Sequence, residues 1–302
     1  MNIIEIDRHS ELFPQKLKEV RPLVKKIYAI GNIELLNRKS IAIIGSRNCS
    51  EYGERMTRQI TEEILEEDFV IVSGMALGID GIAHETCLQK GKYTIAVLGS
   101  GFSNVYPKEH QKMFRQIIEN DGLIISEYPP SEPVKMKNFP RRNRILSGIS
   151  DGVLVIEGAY RSGTSITAKY AISQGKKVFF LPNCVGNKNS YGVLKLAQDG
   201  GILVTGGEDI LAYYGYERKD KRKEIVKKNK MDFKNLIENM DDISKKIIKC
   251  LMSKGKMNCN QLCAVTGYDI TDVNQALSRL ELEDIVIQVS FDKFSIKEVY
   301  CE

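Results

Sequence analysis

Short, unbroken apolar runs alternate with amphipathic stretches through the first two thirds of the chain. Ile41–Ile44, Phe69–Val72, Tyr93–Leu98, Leu123–Ser126, Val153–Ile156, Val178–Leu181 and Ile202–Val204 read as strands. Between them, residues 52–67, 79–89, 109–119, 164–174 and 190–198 read as helices. Strands without polar alternation are buried on both faces, so the pattern predicts a parallel sheet covered by helices on each side. With right-handed crossovers this is a doubly wound α/β fold over residues 39–214. Such sheets bind ligands beyond the carboxyl ends of their strands, so the loops that follow strands are the places to look for chemistry.

The flanks read differently. Residues 1–38, punctuated by Pro14 and Pro22, read as a small helical extension. Beyond about residue 240 the period changes. Ile243, Ile247, Ile248 and Leu251 mark a helix, Asn258–Ala264 a second and Thr271–Glu283 a third. Ile285–Val289 and Phe294–Lys297 then alternate like two strands of a hairpin. Three helices and a hairpin over 239–302 predict a winged helix. Its third helix carries Arg279 but also Asp272, Glu281 and Glu283, a poor face for reading a DNA groove, so a protein-contacting role is expected.

Charge sharpens this picture. The chain of 302 residues has a net charge of +5. Residues 217–230 hold eight Lys or Arg and three Asp or Glu, so this window alone accounts for +5 and the remainder is neutral. The window lies in a basic linker, 215–238. A second focus is 135–144, with five cations and no carboxylate. Polyanion binding is therefore expected to be focal. The seven Cys are scattered, which suits reduced thiols in a cytoplasmic protein. Cys259 and Cys263 form a close pair without a neighbouring His, so no metal site is expected. No run reaches the ~20 apolar residues that span a bilayer, and the charged start MNIIEIDRHS lacks the apolar core of a signal peptide.

Several strand-end segments are suited to phosphate. Gly45-Ser46-Arg47 follows the first strand and opens a helix, where backbone N–H groups, the Ser46 hydroxyl and Arg47 suit an anion. Arg161-Ser-Gly163-Thr164-Ser165-Ile-Thr167 offers a second helix N-terminus of the same kind. Either segment also reads as an ordinary capped turn. Phe139-Pro-Arg-Arg142-Asn143-Arg144, with Lys137 just before it, adds guanidinium forks for phosphate and a ring on which a base can stack. Neither the dinucleotide fingerprint G-x-G-x-x-G nor a P-loop is present, and no cofactor is expected. Asp80 and His84 fall on one helical face, as an acid-base couple or as the support of a turn. Glu127 and Glu157 end strands, where they either act on a glycosidic bond or hold the cationic patch in place.

Together these segments make the chain resemble the DNA-processing protein A (DprA/Smf) family from about Leu12 to Leu211. Five motifs stand in family order: GSRNCSEYG from 45, SGMALGIDGIAH from 73, SEYPP from 126, FPRRNRILSGIS from 139 and RSGTSITA from 161. The terminal winged helix looks like the family's usual appendage. The resemblance implies a Rossmann-like domain that binds single-stranded DNA without catalysis. It further implies a homodimer that helps load RecA recombinase during natural transformation. It places phosphate contacts on Ser46, Arg47, Gly163, Thr164 and Ser165, and a binding element on Phe139, Arg142, Asn143 and Arg144. The chain departs from the family's usual residues at Leu77, Asn183 and Leu194. A rival is a nucleotide phosphoribohydrolase of the lysine-decarboxylase-like family, marked by P-G-G-x-G-T-x-x-E. Here Gly163-Thr164 is present, but Thr167 stands in place of the Glu.

Overall fold

The computed structural model describes residues 2–159, 162–184, 190–217, 237, 240–283, 285–290 and 292–296. The chain divides into two compact units, residues 1–218 and 219–302. The basic linker window of 217–230 lies, apart from Glu217, outside the described residues, as does Arg161.

In chain order the strands of the first unit are β1 (Ile4–Asp7), β2 (Lys26–Gly31), β3 (Ser40–Ile44), β4 (Val70–Ser73), β5 (Thr94–Leu98), β6 (Leu123–Ser126), β7 (Gly152–Val155), β8 (Lys177–Phe180) and β9 (Ile202–Leu203). Its helices are α1 (Glu51–Ile64), α2 (Ile79–Gln89), α3 (Gln111–Glu119), α4 (Asn138–Ile149), α5 (Gly163–Ser173), α6 (Tyr191–Gln198) and α7 (Gly207–Tyr213). The strands form one sheet in the order β1-β2-β6-β5-β4-β3-β7-β8-β9, parallel from β6 to β9. The period-2 alternation of strand side chains divides the apolar runs between two cores. Ala42, Ile44, Val153 and Val155 face Ile145, Leu146 and Ile149 of α4. Ile41, Ile43 and Leu154 face Ile60 and Ile64 of α1 and Ile210 of α7. Both faces are covered, as the unbroken apolar runs require, and the doubly wound fold stands.

The expectation of a helical N-terminal extension is corrected. β1 and β2 pair antiparallel, and β2 adds antiparallel to β6, so the extension continues the sheet. The run Ile27-Tyr-Ala-Ile30 is buried, and only short 3-10 turns at Gln15–Leu17 and Ile33–Asn37 are helical. A second correction is α4, which occupies the stretch between β6 and β7 where no helix was expected. Pro140 sits in its first turn, where its missing N–H costs nothing.

β3 is the pivot of the topology. The chain moves outward from it through β4, β5 and β6, then returns by way of α4 to lay β7 against its other edge. The strand order therefore reverses between β3 and β7, and a crevice opens beyond their carboxyl ends.

The second unit contains α8 (Asp242–Lys254), β10 (Met257–Asn258), α9 (Cys259–Thr266), α10 (Ile270–Leu282), β11 (Val286–Ser290) and β12 (Lys293–Ile296). Its antiparallel sheet runs β10-β12-β11. Ile247, Leu251, Leu262, Val273, Leu277 and Phe294 share its core, giving the winged helix-turn-helix arrangement. Arg279 of α10 is engaged by Asp241 at 2.9 Å.

Candidate nucleic-acid site at the switch point

The crevice between β3 and β7 widens into a cavity of about 390 Å³. Four separate stretches of sequence contribute to its lining: Gly45, Ser46 and Arg47 after β3; Ala76 and the Asp80 carboxylate after β4; Phe139, Arg142 and Asn143 of α4; and Ser162, Gly163 and Thr164 opening α5. Residues more than a hundred positions apart thus meet at one point, because each follows or feeds a strand beside the switch.

The β3 loop is pinned from below. Glu157, at the end of β7 and fully buried, accepts from the Ser50 N–H at 3.0 Å and from the Ser50 hydroxyl, while Ser50 caps α1. Gly53 gives the carboxylate room, since a Cβ there would stand 2.7 Å from Glu157 Oε2. The Ser46 hydroxyl donates to the Asn48 carbonyl at 2.9 Å, so its proton shapes the loop instead of facing the cavity. Arg47 is exposed on the rim, its Cζ 6.0 Å from the centre of the Phe139 ring.

The α5 N-terminus is the anion-friendly end of an eleven-residue helix. Ser162 caps it by accepting from Ser165 N–H at 3.4 Å, and the Ser165 hydroxyl donates to the Ala159 carbonyl at 3.3 Å. Ser165 therefore closes the turn and does not line the cavity. The N–H groups of Gly163 and Thr164 have no protein acceptor among the described residues, which leaves two donors beside the cavity.

Arg142 is a keystone. Nearly buried, it donates from Nη1 to the Gly74 carbonyl at 2.7 Å and to the Val97 carbonyl, and from Nε to Asn143 Oδ1 at 3.1 Å. Asn143 in turn donates to the Gly163 carbonyl at 3.2 Å. One side chain thus joins the ends of β4 and β5 to the start of α5. Burial pulls its guanidinium pKa down to about 10. Beside it the Asp80 carboxylate accepts from Gly74 N–H at 3.1 Å, and its pKa is pushed up by burial against the pull of Arg142.

Arg144 corrects the sequence expectation. It is fully buried, does not line the cavity, and donates to Glu127 Oε1 at 2.6 Å, to the Pro22 carbonyl at 2.9 Å and to the Arg141 carbonyl at 3.0 Å. It ties α4 to the end of β6 and to the N-terminal extension. Lys137 is exposed just before α4, next to the cavity-lining Met136, without lining the cavity itself. Phe139 is only 9% exposed, so it is a wall more than an open platform. Gly99 makes room for its ring, as a Cβ there would lie 2.7 Å from Phe139 Cδ1. Sequence reasoning did not find Tyr106, whose ring stands 5.5 Å from that of Phe139.

The carboxylates offered for glycosidic chemistry have other work. Glu127 holds Arg144 and Glu157 holds Ser50, and neither lines the cavity. Nor do Asp80 and His84 form a couple. Thr94 spends its hydroxyl proton on the Ile71 carbonyl at 2.9 Å, so His84 Nδ1, 2.7 Å away, must be the donor to Thr94 Oγ1. Burial drives the His84 pKa down to about 3, leaving a neutral structural imidazole. Among the described residues, no group of three His, Cys, Asp or Glu is placed to hold a metal ion, and no helix is long and apolar enough to cross a membrane.

This cavity sits within the part of the chain, residues 5–215, that matches the family model for DNA recombination-mediator protein A. The chain belongs to that family. A second model, winged helix-turn-helix DNA-binding, matches residues 240–287. The chain is 42% identical to protein Smf of Escherichia coli over 206 residues, which are 68% of this chain and 55% of that relative. It is 39% identical to DNA processing protein DprA of Streptococcus pneumoniae over 68% of this chain and 73% of that one. The chain thus spans about half the length of the first of these relatives and nearly three quarters of the second. Among solved structures, DprA from Streptococcus pneumoniae superposes with a TM-score of 0.68 at 36% identity, covering 72% of this chain and 76% of that one. DNA processing protein A from Helicobacter pylori, whose structure is described for its single-stranded DNA binding mode, superposes with a TM-score of 0.63 at 28% identity. It covers 71% of this chain and 96% of that one.

Proposed function

We propose that this protein binds single-stranded DNA in the switch-point cavity and acts as a recombination mediator, binding the strand without catalysing a reaction on it. The observation that carries this reading is the convergence on one cavity of Arg47, the Gly163 and Thr164 N–H groups that have no acceptor among the described residues, and the Phe139 wall. The N–H groups and Arg47 take phosphate oxygens, Lys137 adds charge at the mouth, and the apolar wall of Phe139 receives a base edge or face. Asn143 and Arg142 hold the cradle in shape. The Helicobacter pylori relative, whose structure is described for its single-stranded DNA binding mode, supports the choice of ligand.

On this reading a homodimer protects incoming strands in the cytoplasm and helps RecA recombinase load on them, as in natural transformation. The family description as a recombination mediator supports that placement. The test is fluorescence anisotropy with labelled oligo-dT against duplex of equal length, for the full chain and Arg47→Ala, followed by RecA filament assembly on coated strands. Single-strand preference lost in Arg47→Ala, with faster RecA loading by the wild type, is expected. Equal affinity for duplex and single strand would overturn the reading.

A further inference from the structure

A smaller hollow of about 50 Å³ adjoins the main cavity, with Arg47, Ala76, Phe139 and Arg142 as the shared wall. Its outer lip is formed by Leu77 and Tyr106, which are 42% and 41% exposed. Directly after Pro107 the chain turns into the segment that becomes α3. This helix buries Phe114 and Ile117 against Leu98 and Ile124. Its opposite face carries Lys112 and Arg115, one turn apart, with Lys108 aligned just ahead of them. All three are exposed, and among the described residues none of them has a carboxylate partner. Elsewhere on this unit some cations are paired, as Arg58 is with Glu54 and Glu85, and others such as Arg55 and Lys92 have no ion pair among the described residues, so the stripe is marked by the alignment of its three members beside the lip. The stripe is bracketed by Glu109 and Glu119, which limits it to these three cations.

We propose that the bound strand leaves the cavity over Leu77 and Tyr106, and that Lys108, Lys112 and Arg115 carry the phosphates of the next nucleotides along the outer face of α3. The proposal rests on the reading of the cavity as a single-strand site. Tracks that hold single strands without regard to sequence combine a line of cations with an aromatic surface, and Tyr106 followed by the stripe has both. From 108 to 115 a helix rises about 10 Å, the length of about three stacked nucleotides. The apolar lip passes a base, and the first cation stands two residues beyond it. The track lengthens the footprint on one side only.

The test uses the full chain, Lys112→Gln/Arg115→Gln and the reversed pair Lys112→Glu/Arg115→Glu, with labelled oligo-dT of about 4 and about 16 nucleotides, the span of known single-fold sites. The longer strand is expected to bind the glutamine variant about tenfold more weakly, and the glutamate variant more weakly still. Its salt slope should become shallower by about 1.4, two phosphate contacts at about 0.7 each. The shorter strand should bind all three proteins alike. Unchanged affinity for the longer strand in both variants, or equal losses on both lengths, overturns the track. If Arg47→Ala loses both lengths while the α3 variants lose neither, only the track fails. If the wild type binds neither length, the cavity reading fails with it.

Discussion

Arg144 of α4 and Glu127 at the end of β6 form a pair at 2.6 Å in which the arginine is fully buried and the carboxylate 11% exposed. The remaining guanidinium donors reach the Pro22 and Arg141 carbonyls, so the charge is compensated on every side. Removing Arg144 leaves the Glu127 carboxylate with only the exposed Arg141, whose Nε stands 3.5 Å from Oε2, at a cost of about 3 kcal/mol. Arg144→Ala is therefore expected to lower the urea midpoint sharply. Protein that remains folded should bind oligo-dT normally, because Arg144 does not line the cavity. Normal stability with lost binding would return Arg144 to the DNA.

Arg47 and Arg142 both line the cavity, yet substitution should separate them. Arg47 is exposed and its side chain makes no hydrogen bond among the described residues, so Arg47→Ala is expected to change stability by less than about 0.5 kcal/mol while weakening DNA binding and its salt dependence. Arg142 joins two strand ends to Asn143 through a planar fork that an ammonium group cannot reproduce. Arg142→Lys should cost about 2–3 kcal/mol of stability. Binding should fall as well, since the α5 N-terminus loses its support. Chemical denaturation beside anisotropy reads both quantities. A stable Arg142→Lys would show that the keystone is misplaced.

Gly163 isolates the steric side of recognition. It has no positive φ, and among the described residues a Cβ built there meets no atom within 4 Å beyond its chain neighbours and its own helix backbone. Gly163→Ala is thus expected to leave the protein as stable as the wild type or slightly more so, because alanine favours the helix. A glycine at a helix N-terminus lets a phosphate approach the backbone closely. The added methyl should therefore weaken oligo-dT binding about tenfold, the loss of one charge-assisted contact. Unaltered binding would place the phosphate elsewhere.

The doubly wound sheet was legible because its strands are unbroken apolar runs, a pattern that only burial on both faces explains. The carboxyl-edge rule then pointed to the loops at Gly45 and Gly163, and those two loops do meet. The roles within α4 were less legible. Arg142 and Arg144 read as guanidinium forks for phosphate, with Asn143 in the same binding element, since sequence shows charge but not the carboxylate or carbonyls that meet it. The period of Leu146, Ile149 and Ile145 was the available signal for a buried helix, and the cluster of arginines masked it. The N-terminal strands were obscured by prolines and by the shortness of β1, whose place is settled by its pairing with β2 alone. Tyr106 was missed because its partner, Phe139, lies 33 positions along the chain and meets it only in the folded sheet.

His84 gives the fold a pH dependence with a definite sign. The imidazole is fully buried, donates from Nδ1 to Thr94, and has its pKa lowered from 6.5 to about 3 by burial. Above pH 6.5 it is neutral in both folded and unfolded chains and contributes no slope. Below 6.5 the unfolded chain takes up a proton that the folded chain refuses. Stability attributable to His84 therefore falls as pH drops, by about 1.4 kcal/mol per unit between 6.5 and about 3. His84→Asn keeps a side-chain donor near Thr94 Oγ1 and removes the titration. Urea unfolding of both proteins at pH 7.5 and 5.5 should show the wild type losing about 1.4 kcal/mol more than the variant over that interval. Parallel losses in the two proteins would mean that His84 charges in the folded state.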